Sequence, residues 1–247
     1  MRTSLREAKL DVVAINRILA NEGILDAYGH VSVRHPEDPG RFLLSRARSP
    51  EYVDFDDVLE FDLTGESVES TNVPVYLERF IHAALYAARP EINAVCHNHT
   101  LSILPFSIST TTTLSRTINA SKLFGEGVPV WDIADSFGPE TDMLVRNIEQ
   151  GRSLAKTVGD SALALMRGHG SVVVSTQPRN VVNACLSMDR SAKAQLSVLT
   201  LGGLRTFTDV ELLERSGLPG GLRADDRAWE YFVQRAGIVD LAPRGEE

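Results

Sequence analysis

Three of the six histidines in this 247-residue chain stand at spacings that metal chemistry uses. The run INAVCHNH (92–99) reads as a β-strand, and a strand sends alternate side chains to opposite faces. His97 and His99 therefore share a face, with Cys96 and Asn98 behind them. Two imidazoles so placed are a pre-spaced pair of metal ligands. His169 sits between Gly168 and Gly170 at the tip of a strand–turn–strand, where glycines permit unusual backbone angles and close approach. A third imidazole presented there completes a facial set with positions left open for substrate. Taken singly, the same residues fit an exposed polar strand and a turn histidine.

The segment YLERFIHAALY (76–86) places Phe80, Ile81, Ala84, Leu85 and Ala88 on one helical face, with Glu78 and His82 four residues apart beside it. Glu78 suits a fourth metal ligand or a general acid/base. A solvated glutamate in the first turn, favourable to the helix dipole, accounts for it equally well.

The elements that must position these groups follow from periodicity. Leu5, Ala8, Val12, Ile15 and Leu19 predict a helix that Asn21-Glu22-Gly23 ends. Short strands follow at 31–34, 41–45 and 58–63. A helix is expected over 75–88, a strand over 92–99, mixed structure with a polar SISTTTT loop over 100–138, and strand-like pieces such as VPVWDI (128–133). A helix over 142–158, a strand–turn–strand over 162–175 and a helix over 179–201 come next, then short helices near 209–215 and 225–236. Strands this closely spaced cannot all be joined by βαβ crossovers, so the fold class is α/β with a largely antiparallel sheet. No repeat or composition break divides the chain: one domain over 1–247 is expected, with its core at about 5–205 and a helical tail at 206–247.

Composition sets outer bounds. The chain carries 33 acidic and 25 basic residues, a net charge of −8, and 43% hydrophobic residues. These are globular values, and the acidic balance argues against a general nucleic-acid binder. No apolar run approaches the roughly 20 residues of a membrane span, and the N-terminus lacks an apolar signal region. Two cysteines, Cys96 and Cys185, make no disulfide framework, so a cytoplasmic location is expected. Only four of the 25 basic residues are Lys.

The ordered set Glu78, His82 and Tyr86, then Arg89-Pro90, then Ala94 to His99, then Gly168-His169-Gly170 resembles the class II aldolase/adducin family. The resemblance spans roughly residues 5–205. It implies a three-layer α/β/α fold around a mainly antiparallel sheet, and a homotetramer with sites at subunit interfaces. It assigns His97, His99 and His169 to one divalent metal ion per subunit, with Glu78 as acid/base and resting ligand. Manganese or zinc is implied, with cobalt or iron also suited to the ligand set. In adducin the same fold is a cytoskeletal module without the metal ligands, and retention of all four residues argues against a purely structural role.

Within that family the phosphate-binding aldolases use small donors where this chain has Gly29-His30, Ser45-Arg46 and Tyr76-Leu77. Tyr-Leu makes a poor phosphate cradle and a good wall for an aromatic ring. Arg46, more than Arg48, offers a planar fork for a carboxylate, and surface arginine is the plainer reading for at least one of them. Asn119 and Lys122, in TINASKLFGEGVPV (117–130), align with a family stretch that would set substrate choice if it lines the pocket, and a surface lysine is the plainer reading of Lys122. These departures resemble the branch that decarboxylates hydroxylated aromatic or pyridine carboxylates. The expected substrate is a small anionic carboxylate, with aldol cleavage of a non-phosphorylated hydroxy-keto acid as the alternative. His82 is expected to support the helix beside Glu78, and His35 has no assigned role.

Overall fold

The structure is a computed structural model, and it describes residues 3–118, 127–208, 210–211 and 221–240. It opens with α1 (Leu5–Asn21), started by a capping box in which Ser4 and Glu7 satisfy each other's backbone amides. Gly23, at φ 72°, turns the chain away after it. The strands β1 (His30–Arg34), β2 (Arg41–Ser45) and β3 (Val58–Asp62) follow as an antiparallel meander. Next come α2 (Arg79–Ala88), β4 (Ala94–Asn98), α3 (Leu104–Ile108), β5 (Val130–Trp131) and α4 (Ile133–Phe137). The chain then forms α5 (Ile148–Val158), β6 (Leu163–Met166), β7 (Gly170–Ser175), α6 (Asn180–Leu199) and α7 (Gly221–Arg235).

The seven strands form one sheet in the order β3-β2-β1-β4-β7-β6-β5, antiparallel at every pairing except β5 with β6. Both faces are covered, so the alternation of the strands becomes two cores. Val31, Val33, Leu43, Ala94, Cys96, Leu165 and Val173 pack under α1, α6 and α7. Phe42, Leu44, Phe61, Val95, Ala164, Val172 and Val174 pack under α2 and α5. This is the expected three-layer α/β/α fold. Cys96 and Cys185 are buried and unpaired in the first core, as small apolar residues. Trp131 is buried in the second, while Trp229 packs at the rim of the first under the guanidinium of Arg179.

The helix expected from 75 begins only at Arg79, because Tyr76 and Glu78 bind elsewhere: the Tyr76 hydroxyl donates to the Arg48 carbonyl and the Glu78 carboxylate leaves its own helix end uncapped. Residues 142–147 are likewise not helical. Met143 has a left-handed φ of 68°, and Asn147 caps α5 by accepting from the Gln150 amide. The VPVWDI strand shortens to two residues, since Asp132 caps α4. Ala88, predicted on the apolar face of α2, is exposed, whereas everything from Ile81 to Tyr86 is buried. Of the predicted helix near 209–215 only residues 210–211 are described, and Asn119 and Lys122 lie outside the described residues.

Gly151 is what lets α5 lie against α2, the helix that carries Glu78 at its start. A Cβ there would stand under 3.0 Å from the Phe80 carbonyl oxygen. Gly151→Ala should therefore destabilise the protein by about 1–3 kcal/mol despite alanine's higher helix propensity. A thermal melt unchanged or raised by this substitution would contradict the packing.

Candidate metal centre

β4 occupies the middle of the sheet, with His97 opposite His30 on β1 and Val172 on β7. His97 is fully buried, and its Nδ1 lies 3.1 Å from the Ser171 carbonyl oxygen. That oxygen can only accept, so Nδ1 carries the hydrogen and Nε2 keeps its lone pair for the site. His99 follows the strand end. Its Nδ1 lies 3.0 and 3.1 Å from the two Asp26 carboxylate oxygens, which orients its Nε2 to within 3.1 Å of the His97 Nε2.

His169 reaches the same point from the β6–β7 turn. Both flanking glycines are required there, for different reasons. Gly168 has φ 65°, and its amide donates to the Ser107 hydroxyl. Gly170 lies so near the Asn98 carbonyl that any Cβ would overlap it. The His169 ring stacks on that of His99 at 5.0 Å, and its Nδ1 is buried without a hydrogen-bond partner among the described residues.

Glu78 completes the cluster. It is buried, and the solvated first-turn alternative is therefore wrong. One carboxylate oxygen accepts from the Val145 amide at 3.0 Å, while the other lies 3.3 Å from His97 Nε2 and 3.7 Å from His169 Nε2. One ligand atom from each of Glu78, His97, His99 and His169 falls within 4.8 Å of all the others. Metal–nitrogen bonds of about 2.1 Å around one ion put ligand atoms roughly 3–3.5 Å apart, so this donor set fits a single divalent cation.

Electrostatics favour ligand-competent forms. Burial is the largest influence on His169 and, with the neighbouring His97, lowers its pKa to about 4. Burial also lowers His99, outweighing the opposing pull of Asp26. At Glu78 burial acts upward, but the neighbouring His97, His169 and the Val145 amide outweigh it and bring the pKa to about 2.

Beside the cluster lies an aromatic wall. The His30 ring packs against Tyr76 at 4.3 Å and against His97 at 5.2 Å. Ser45 is buried next to the Tyr76 phenol. Two expectations need correction. The Gly29 amide donates to Asp26 at 2.9 Å and so is not offered to a substrate; its glycine is required because a Cβ would crowd Leu25 and the His97 carbonyl. Arg46 is not a free fork: its Nε donates to Asp57 at 2.6 Å, and Arg48 holds the other oxygen of that carboxylate at 2.7 Å. Arg46 is engaged through Nε and Arg48 through one terminal nitrogen, so the terminal nitrogens of Arg46 are not used by Asp57.

Asp26, Asp57 and the Val145 amide were not anticipated. Asp26 and His99 are 73 residues apart in sequence, and no local spacing signals such a pairing. His82, expected only to support its helix, instead bonds His30 and Ser32.

A cluster of three histidines and a glutamate, two buried and two half-buried, at the end of the central strand of a mainly antiparallel sheet between two helical layers, defines a metal-centre class of α/β protein. The chain belongs to the family described as the Class II Aldolase and Adducin N-terminal domain, which it matches over residues 10–196. It is 34% identical over 197 residues to Decarboxylase tropJ of Talaromyces stipitatus, covering 74% of this chain and 73% of that protein. It is 27% identical to the 3,4-dihydroxyphthalate decarboxylase of Rhodococcus jostii, covering 96% and 99%. In fold it is similar to the L-fuculose 1-phosphate aldolase from Glaciozyma antarctica, with a TM-score of 0.75 and 20% identity over 94% of this chain and 91% of that one. These relationships support an enzyme of the lyase class with a decarboxylase or aldolase type of function. Class II aldolases depend on a metal, and the four residues above are a place among the described residues that suits one.

Two outcomes are expected. Asp26→Ala should weaken zinc binding about 10–100-fold in a chelator competition with the fold intact, because His99 loses its orienting acceptor. Unchanged affinity would remove Asp26 from that role. Since His169 stays neutral until the pH falls to about 4, bound zinc should be retained through pH 6 and released only on further acidification. Release centred near the ordinary histidine value of about 6.5 would contradict the burial of the site.

Proposed function

We propose that the protein decarboxylates an ortho-hydroxy aromatic or hydroxypyridine carboxylate at a divalent metal held by His97, His99, His169 and Glu78. Manganese and zinc suit the ligand set, and cobalt or iron would also be accepted. The observation that carries the reading is the pairing of Tyr76 and His30 beside His97, two mutually tilted rings next to an acid/base carboxylate. Similarity to two decarboxylases, one of them named for a dihydroxyphthalate, supports it.

The bound cation would act as a Lewis acid that favours the deprotonated ring hydroxyl and stabilises negative charge on that oxygen. The protein residues do the rest. The substrate ring lies on Tyr76, and the terminal nitrogens of Arg46 pair with a carboxylate. Glu78, ionised at rest because its pKa is about 2, takes the proton from the ring hydroxyl. It then delivers that proton to the ring carbon bearing the carboxylate, giving a dienone-like ring. The bond to the carboxylate breaks, CO₂ leaves, and its electron pair restores the aromatic ring. A solvent proton returns to the ring oxygen. Overall one proton is consumed and one CO₂ released per carboxylate.

The assembly we propose is a homotetramer in the cytoplasm with sites at subunit contacts. Tyr28, Leu101 and Ile108 are exposed apolar side chains next in sequence or space to Gly29, His99 and Gly168, so they ring the centre as a contact surface would. No helix among the described residues is long and apolar enough to cross a membrane. Asn119 is retained as a proposed substrate contact, and the whole of 1–247 as one domain.

The test is a panel of hydroxybenzoates, dihydroxyphthalates and hydroxypyridine dicarboxylates offered to zinc- or manganese-loaded protein. CO₂ release is expected. Pyruvate or an aldehyde from hydroxy-keto acids, with no CO₂ from the panel, would instead establish the aldolase reading. On the best substrate, Glu78→Gln should lower kcat at least about 100-fold. Arg46→Ala should raise KM about tenfold or more with a smaller change in kcat. An unaffected KM would take Arg46 out of the pocket.

A further inference from the structure

Behind the metal-ligand cluster runs a second line of buried polar groups that the reaction above does not use. His30 Nδ1 lies 2.7 Å from His82 Nε2. His82 Nδ1 lies 2.6 Å from Ser32 Oγ, and Ser32 Oγ 3.0 Å from the Tyr86 hydroxyl. All four residues are at most 1% exposed. The line follows from two periodicities: His30 and Ser32 are two apart on β1, and His82 and Tyr86 are four apart on α2. Only its outer end, the His30 ring, meets the site, against Tyr76 and His97.

Hydrogen-bond complementarity gives this line a direction. Among the described residues, the Ser32 hydroxyl is the one acceptor within hydrogen-bond reach of the Tyr86 hydroxyl, so it is the only place there for the phenolic hydrogen to go. The phenol therefore donates to Ser32. The Ser32 hydrogen is then directed to His82 Nδ1, which leaves the His82 hydrogen on Nε2, donating to His30 Nδ1. A protonated His82 would donate to His30 in the same way. In every case His30 Nδ1 is an acceptor, and its hydrogen lies on Nε2, on the ring edge turned away from His82.

We propose that Tyr86, Ser32 and His82 are positioning residues that fix His30 as the Nε2–H tautomer, making it a permanent hydrogen-bond donor to an anionic oxygen of the substrate beside the metal centre. This rests on the decarboxylase reading for the identity of the anion, but the tautomer itself does not. The reverse tautomer would present a bare nitrogen lone pair to a carboxylate or phenolate, which repels it. A donor whose direction is set before the substrate arrives needs no reorganisation on binding.

The experiment is long-range proton–nitrogen NMR of the zinc-loaded full chain with ¹⁵N-labelled histidine, resonances being assigned through His30→Asn and His82→Gln. His30 and His82 should both show Nε2–H with an unprotonated Nδ1. A hydrogen on His30 Nδ1 in the unsubstituted protein would overturn the proposal. Tyr86→Phe keeps the packing and removes the donor that sets the direction, so a His30 Nδ1–H population should appear. Binding of 2-hydroxybenzoate, followed by calorimetry, should weaken about tenfold in that variant. His82→Gln supplies an amide N–H to His30 and an oxygen to Ser32, and should hold His30 in the Nε2–H form with near-normal binding. Unaltered tautomers and unaltered binding in Tyr86→Phe would reduce the line to packing and overturn the proposal. If 2-hydroxybenzoate fails to bind the unsubstituted protein, the substrate reading falls, and the tautomer spectra still decide the positioning role.

Discussion

The structure depends on holding three imidazoles and one carboxylate turned to a common point inside the protein. Left alone, such groups would rotate to find donors or take up protons. Three of the four are prevented by a partner on the far side, the Ser171 carbonyl behind His97, the Asp26 carboxylate behind His99 and the Val145 amide behind Glu78, whereas His169 is held by its glycine-bracketed turn. These partners lie on separate segments of the chain. The fold can be understood as the scaffold that brings them to the ligand-type residues at once.

Several local features that look irregular serve that end. Met143, the one non-glycine residue with positive φ among the described residues, lies in the loop that reaches Glu78. Gly170 brings β7 so close to Asn98 that His169 falls beside His97. Glu78 stands at the head of α2 without capping it, since its oxygens face the Val145 amide and the histidines. The local sequence rules are broken around the site and kept elsewhere, as at the Ser4–Glu7 capping box far from it.

Much of this was legible in the residues themselves. The HxH spacing on β4 and the glycine-bracketed His169 carry their geometry in the strand period and in glycine's freedom, so the cluster could be read before the fold. Periodicity also gave most helices and strands and a largely antiparallel sheet, whereas the layers on either side followed only from the family resemblance. What it could not give were the supports. Asp26 and Asp57 look like ordinary loop carboxylates, and Val145 contributes only a backbone amide, which has no residue-type signature. Helix starts were misread at 75 and 142 because the residues there bind across the fold. Gly29 and Arg46 were read for what they could offer a substrate, whereas the structure shows each already bonded to an aspartate. Even His35 proves structural, accepting from the amides of Glu37 and Asp38 to close a turn.

The account stands or falls on whether these four side chains gather one cation. X-ray absorption on the zinc-loaded protein, with the bound zinc counted per chain, addresses this directly. The structure predicts one ion per chain, with three imidazole nitrogens at about 2.0–2.1 Å and oxygen completing the shell. A substoichiometric ion, or a shell with sulfur or fewer than three imidazoles, would contradict it.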